Sequence, residues 1–166
     1  MKLKQLTVNA LLTAIALTIF MIEAQIPTLV PIPGVKLGLA NIVTVFALFA
    51  YSPKDALAIL VIRVFMGSVF SGQISTMLYS MGGGLTCFAV LLFVRKILTA
   101  KQMWVASVIG AVFHNIGQIL VAILVTGTPG IAVYLPMLLV SGIIAGCFTG
   151  LCAQFLYSKL NTFHII

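Results

Sequence analysis

Residues 103–125 read MWVASVIGAVFHNIGQILVAILV, a stretch that contains no Asp, Glu, Lys or Arg. About 20 consecutive, mainly apolar residues are enough for a helix to cross the hydrocarbon core of a bilayer. The rest of the chain has the same character, because 62% of its 166 residues are hydrophobic and only 7% are charged. A soluble domain carries roughly a quarter charged residues. The sequence therefore predicts an all-α integral membrane protein.

Further apolar runs on both sides of this stretch predict a bundle of six transmembrane helices that forms a single domain, residues 1–166. Turn-forming residues separate the runs, for example Ser52-Pro53-Lys54-Asp55 and the Gly- and Pro-containing segment 126–130. The second and third helices are short for the thickness of a bilayer and must lean on their neighbours. The six predicted helices cover residues 5–25, 37–51, 55–71, 75–94, 103–125 and 132–157.

Basic residues between the apolar runs predict the orientation of the bundle. With the N-terminus inside, seven of the nine Lys and Arg residues lie in cytoplasmic segments, as the bias of basic residues towards that side requires. Both termini are therefore predicted to be cytoplasmic. The expected partner of this positive charge is the anionic surface of the bilayer and not nucleic acid. The seven residues are Lys2, Lys4, Lys54, Arg95, Lys96, Lys101 and Lys159; Lys36 is left outside and Arg63 within the membrane.

Polar side chains at mid-membrane depth are the first candidates for a binding site. Arg63 lies halfway along the third predicted helix, where an ionisable group is costly and normally faces the protein interior or a ligand pathway. His114 and Gln118 are four residues apart on the fifth helix and share a face, with Asn115 beside them. Each candidate also has a structural alternative: Arg63 could tether helices through carbonyls or Glu23, and the others could be hydrogen-bonded packing residues.

A second set of polar residues lies in the predicted outer half of the bundle. Glu23 ends the first helix, Lys36 and Asn41 open the second, and Gln73 lies in the next outer loop. Together with Arg63 they would line a cavity whose slightly positive balance favours an anionic or strongly polar ligand. The alternatives are that Lys36 extends to the lipid headgroups, and that Asn41 and Gln73 form ordinary caps or loop hydrogen bonds.

Glycines with regular spacing mark close contacts between helices. Gly142, Gly146 and Gly150 recur every fourth residue on the sixth helix, so that another helix can approach its backbone. Three consecutive glycines, 82–84, predict a kink, an unwound turn or a close backbone contact with a ligand in the fourth helix.

Several reaction classes are excluded by missing motifs. The sequence contains no G-K-[ST] phosphate loop for ATP hydrolysis, and no paired acidic motif for Mg²⁺ and a diphosphate. It also lacks a Cys/His cluster suited to zinc or an iron–sulfur centre. We therefore expect no enzymatic activity, catalytic residue, metal site or cofactor in this chain.

The stretch VPIPGVKLGLANIV, residues 30–43, resembles the signature of the bacterial Gx transporters, a family also labelled heptaprenyl diphosphate synthase component I. The similarity extends to His114-Asn115-x-x-Gln118 and to the glycine that follows Arg63 by four residues. That family resembles the substrate-binding S components of energy-coupling factor transporters. The resemblance implies a six-helix protein of the bacterial plasma membrane that captures a small molecule from outside. It also implies a transmembrane coupling subunit and ATPase subunits in other chains.

The same resemblance implies a partner contact on the first helix. Ala10 and Ala14 match the small-residue stripe through which S components contact the coupling subunit, although such stripes also serve as packing seams within a chain. The competing function is a non-catalytic membrane subunit of isoprenoid or quinone biosynthesis, or of flavin- or quinone-linked electron transfer. A self-sufficient ion-coupled carrier ranks last, because it needs a deeply placed acid, and Glu23 and Asp55 both lie near helix ends.

Overall fold

The computed structural model describes residues 3–25, 36, 38–72 and 74–162 of the chain. These residues form α-helices joined by turns and two short 3₁₀ segments, and no strand occurs among them, so the all-α prediction is confirmed. The helices are α1 (Leu3–Glu23), α2 (Asn41–Ala50), α3 (Pro53–Ser71), α4 (Ile74–Ile97), α5 (Met103–Thr126) and α6 (Leu135–Thr162). The 3₁₀ segments are Ala100–Gln102, before α5, and Pro129–Tyr134, before α6.

Four of these helices are long and apolar enough to cross a membrane: α1, α4, α5 and α6. Their outward faces carry large apolar side chains such as Phe93 and Phe148, each 68% exposed, which suits contact with lipid. The helix α2 has 10 residues and spans only about 15 Å, roughly half of the hydrocarbon core. The protein is therefore a membrane protein whose α2 is a short internal helix.

The short helix α2 packs into the centre of the bundle. It contacts each of the other five α-helices, and its residues from Val43 to Leu48 are all buried. It starts at Asn41, four residues later than predicted, because Gly38 takes a left-handed φ of 79° and begins a turn. A residue with a Cβ rarely adopts that conformation, so the turn before α2 favours glycine at this position.

Asp55 joins the first turns of α1 and α3. Ser52 is the N-cap of α3 and forms a capping box with Asp55, which explains why α3 begins at Pro53. The Asp55 carboxylate also accepts hydrogen bonds from Gln5 Nε2 at 2.8 Å and from Asn9 Nδ2 at 2.6 Å. We call this set of contacts of Asp55 with Ser52, Gln5 and Asn9 the Asp55 clamp. It accounts for a buried charged side chain at this position by a structural role.

Glycines let α4, α5 and α6 pack closely. The stripe on α6 is a seam within the chain, because a Cβ placed on Gly150 would lie 2.6 Å from Trp104 Cα of α5. The triplet 82–84 lies within a continuous stretch of α-helix and shows no unwound turn. Its glycines approach α5 and α3: a Cβ on Gly83 would lie 2.7 Å from the His114 carbonyl oxygen, and one on Gly84 would meet the Leu60 side chain at 3.0 Å.

Six basic residues collect at one end of the bundle, which we call the basic end. The Asp55 clamp places the start of α1 beside the start of α3. At the same end, Leu98 after α4 and Tyr157 near the end of α6 pack against one apolar cluster. The last residue of α1, Glu23, lies at the opposite end. The basic residues are Lys4, Lys54, Arg95, Lys96, Lys101 and Lys159.

Candidate functional site

Arg63 lies inside the bundle, as its position in the sequence predicts. It is 3% exposed in the middle of α3, and its Nη2 donates a hydrogen bond to Asn41 Oδ1 of α2 at 2.9 Å. Its Nε has no hydrogen-bond partner among the described residues. Arg63 therefore tethers α3 to α2 and still has a donor available for another group.

Glu23, the last residue of α1, and Lys36, in the segment before α2, line the same cavity as Arg63. The buried carboxylate of Glu23 accepts a hydrogen bond from the Gly38 N–H at 2.6 Å. The Lys36 Nζ lies 3.7 Å from the centre of the Phe20 ring, in cation–π contact, and does not extend towards lipid headgroups. Burial lowers the pKa of the Lys36 ammonium. The Lys36 ammonium can donate hydrogen bonds to an anionic ligand.

The His114 ring is held between two glycines. A Cβ on Gly38 would lie 2.9 Å from His114 Cδ2, and a Cβ on Gly83 would lie 2.9 Å from His114 Cε1. Neither ring nitrogen has a hydrogen-bond partner in the described part of the chain. The two glycines thus admit an imidazole to the interior, where its nitrogens remain available to a ligand.

These groups line one small cavity at the Glu23 end of the bundle, which we call the polar cavity. Its volume is about 10 Å³, the space that one water molecule needs. Four predicted site residues, on α1, α3, α5 and the segment before α2, thus meet in one place. The lining comprises Phe20, Glu23, Lys36, Gly38, Arg63, Ser80 and His114.

Phe20, Gly38 and Ser80 were not among the predicted site residues. Gly38 lies inside the signature 30–43, so its sequence context carried a signal. Phe20 occupies the space left by Gly67, since a Cβ there would lie 2.5 Å from the ring. Neither Phe20 nor Ser80 stands out from its neighbours in the sequence, because each depends on contacts between helices distant in the chain.

The remaining candidates differ in their surroundings. Gln118 is fully buried beside Gly83, one turn from His114, and both of its amide atoms lack partners within the described residues. Asn115 is also fully buried, but its Nδ2 donates to the Leu138 carbonyl of α6 at 2.6 Å. Asn115 thus joins α5 to α6, while Gln118 continues the face of His114. The predicted site residue Gln73 lies outside the described residues.

One known protein family matches most of the length of this chain. The family model described as heptaprenyl diphosphate synthase component I matches residues 12–156. The chain belongs to the heptaprenyl diphosphate synthase component I family. The match runs from the middle of α1 to a point less than two turns before the end of α6, so it includes every residue that lines the polar cavity. Neither the curated proteins nor the solved structures give a significant match to the chain.

The polar cavity of this component I family member brings together groups that can form ion pairs and hydrogen bonds. Two cations, one carboxylate, an imidazole and a hydroxyl face the same space. No group of three or more His, Cys, Asp or Glu residues that could hold a metal ion occurs in the ranges described above. The carboxylate already accepts a backbone hydrogen bond, so the groups with free capacity are mainly donors. Such a set can bind an anionic or polar molecule.

The small-residue stripe of α1 lies on the outside of this component I family member. Ala10 and Ala14 are both exposed, as are their apolar neighbours Leu6, Leu11 and Ile15. The stripe is therefore not a packing seam within the chain, in contrast to the glycine stripe of α6. It faces either lipid or another protein.

Proposed function

We propose that this protein binds a small anionic or strongly polar organic molecule in the polar cavity, as the substrate-binding subunit of a transport system of the energy-coupling factor type. The observation that carries the proposal is a set of buried polar atoms around the cavity that have no hydrogen-bond partner among the described residues. These are Lys36 Nζ, Arg63 Nε and both ring nitrogens of His114, with the Gln118 amide beside them.

These polar atoms are energetically costly to bury. A buried donor or acceptor without a partner costs about 1–3 kcal/mol, and most buried polar groups in proteins are hydrogen-bonded. A ligand that supplied acceptors to Lys36 and Arg63 would recover part of that cost on binding. Since those two cations face one carboxylate, Glu23, the balance favours an anionic ligand group. Asn41 takes part indirectly, because it orients the Arg63 guanidinium.

Entry of an organic molecule requires the polar cavity to expand. Its volume of about 10 Å³ accommodates one water molecule and nothing larger. The hydrogen bond between Gly38 and Glu23 links the segment before α2 to the end of α1, so that bond must break when this segment moves away. We propose that Lys36 and Gly38 close over the ligand and that Gln73 contributes from the neighbouring loop.

The proposed transport function places the protein in a membrane together with partner subunits. The chain forms one domain of six membrane-embedded helices in a bacterial plasma membrane, with both termini in the cytoplasm, as the basic residues favour. The exposed Ala10 and Ala14 offer a flat surface to a transmembrane coupling subunit. ATPase subunits in other chains supply the energy. This chain itself is no enzyme and needs no cofactor.

Native mass spectrometry of the purified protein tests ligand binding directly. We expect wild type to retain a small molecule, and Arg63→Ala and His114→Ala to lose it. Arg95→Ala is the matched control, because Arg95 lies at the basic end and far from the polar cavity. Equal retention by wild type, Arg63→Ala and His114→Ala would remove these side chains from the site.

The family description supports a second function. A component I of a heptaprenyl diphosphate synthase implies a second component, and this chain would then be its non-catalytic membrane subunit, with a role in isoprenoid or quinone biosynthesis or in linked electron transfer. The sequence favours a non-catalytic role, because its single Asp cannot form the two aspartate-rich motifs that hold Mg²⁺ and diphosphate. Affinity purification separates the two functions. A coupling subunit with two ATPases favours transport, whereas a prenyl or redox enzyme without them favours the second function.

A further inference from the structure

A second and larger cleft lies at the basic end of the bundle. It is formed by the 3₁₀ segment Ala100–Gln102 and the last turns of α6, and its volume is about 520 Å³, within the range of small-molecule sites. The Trp104 N–H donates to Gln154 Oε1 at 3.4 Å and joins the two walls. The lining residues are Thr99, Ala100, Lys101, Gln154, Tyr157, Ser158, Asn161 and Thr162.

Every lining residue of this cleft except Ala100 has a hydrogen-bonding side chain, and none of them is a carboxylate. Lys101 provides an ammonium, Gln154 and Asn161 provide amides, and four other residues provide hydroxyl groups. The only two acidic side chains of the chain, Glu23 and Asp55, are buried and hydrogen-bonded elsewhere. Among the described residues no carboxylate faces the Lys101 ammonium in this cleft, so the local charge is positive and favours an anion with several acceptor oxygens.

The position of the cleft indicates what carries that anion. The neighbouring surface is apolar, since Ile97 is 82% exposed and Phe155 is 66% exposed. Lys159 and Lys96 each lie over an exposed Phe ring, at 5.6 and 5.8 Å, an arrangement typical of side chains at the boundary between lipid and water. The cleft thus opens at headgroup level, where basic pockets between helices bind lipid phosphates.

We infer that this cleft binds a phosphate group, with Lys101 as its cationic partner and the Asn161 amide and Ser158 hydroxyl as further donors. The phosphate can belong to a membrane amphiphile or to a soluble ion, and the chemistry of the lining is common to both. The site lies at the opposite end of the bundle from the polar cavity, so it is independent of the proposed transport function.

The test uses purified full-length protein in a neutral maltoside detergent and follows the ³¹P NMR line width of two probes, dihexanoylphosphatidic acid and inorganic phosphate. We expect saturable binding that Lys101→Gln weakens about tenfold, because a charge-assisted hydrogen bond contributes more than the 1.4 kcal/mol that a factor of ten represents. Lys54→Gln is the matched control. It removes the same charge from an exposed residue of the basic end outside the cleft, and we expect a change of less than about twofold.

Each result decides the inference. Binding of phosphatidic acid alone identifies a lipid headgroup site, and binding of both probes shows that the phosphate group suffices; both results support it. Absence of saturable binding, or equal weakening by Lys101→Gln and Lys54→Gln, overturns it. If Lys101→Gln does not fold, Asn161→Ala takes its place, with the same threshold. Arg63→Ala is expected to leave phosphate binding unchanged, so failure of this site and failure of the polar cavity are distinguishable.

Discussion

The glycine triplet of α4 offers a prediction with a control in the adjacent residue. Replacing Gly by Ala within a helix ordinarily stabilises it by about 0.5–1 kcal/mol. At Gly83 the new Cβ would lie 2.7 Å from both the His114 carbonyl oxygen and Gln118 Cγ. The carbonyl oxygen belongs to the backbone of α5 and cannot turn aside, so α4 and α5 must separate. At Gly84 the new Cβ would lie 3.0 Å from the end of the Leu60 side chain. That side chain can rotate away.

The expected magnitudes follow from these contacts. Overpacking a well-packed interior costs about 1–3 kcal/mol, so after the gain in helix propensity Gly83→Ala should lose about 1 kcal/mol or more. Gly84→Ala keeps the gain in helix propensity and should raise the free energy of unfolding by up to about 1 kcal/mol. The two variants then differ by about 2 kcal/mol, which corresponds to roughly 4–8 °C in Tm for a chain of this size.

Thermal unfolding followed by circular dichroism in detergent measures this difference. Gly83→Ala should unfold at the lower temperature and, because the substitution also presses on the His114 ring, should retain less small molecule in native mass spectrometry. If Gly83→Ala were as stable as Gly84→Ala and retained the same ligand, the close approach of α4 and α5 at His114 would be refuted.

Three further substitutions test the contacts that hold the bundle together. Asp55→Ala should destabilise by about 3 kcal/mol in chemical unfolding, because it leaves buried partners without a charged acceptor, whereas Lys54→Ala should have little effect; equal effects would contradict the clamp. Asn115→Ala should cost about 1 kcal/mol through loss of the hydrogen bond to α6, and a Tm at or above that of wild type would exclude this role. Gly150→Val should lower the Tm through contact with the α5 backbone, while Gly130→Ala, which has open space around it, should not; identical Tm values would contradict the seam.

Local patterns in the sequence predicted most of the helices. Long apolar runs define α1, α4, α5 and α6. The start of α3 was predicted at residue 55, two residues too late, because Ser52 caps the helix and Pro53 forms its first turn. The start of α2 was predicted four residues too early, because the apolar run continues through the turn at Gly38, whose positive φ the composition does not reveal. The length of α6 was also underestimated, since its polar last turns extend beyond the apolar run to Thr162.

The site residues were predictable where exposure of a polar side chain to lipid would be energetically costly, because such a side chain must face the interior of the bundle. Arg63 and His114 meet in the polar cavity because neither can face lipid cheaply. Which face of α5 each neighbour takes was not predictable: the Asn115 amide turns to α6, whereas Gln118 stays beside Gly83. These outcomes depend on packing between helices that are far apart in the chain, and local sequence patterns do not indicate such contacts.

The two carboxyl side chains of this protein are both enclosed, Glu23 at one end of the bundle and Asp55 at the other. A water-soluble carbodiimide with an amine nucleophile therefore finds no accessible side-chain acid while both ends are shut. Labelling at Glu23 then records release of the Gly38 segment, and labelling at Asp55 records separation of α1 from α3. Because the chain has only these two side-chain carboxyl groups, peptide mapping after short exposure to the reagent measures motion at the two membrane faces separately.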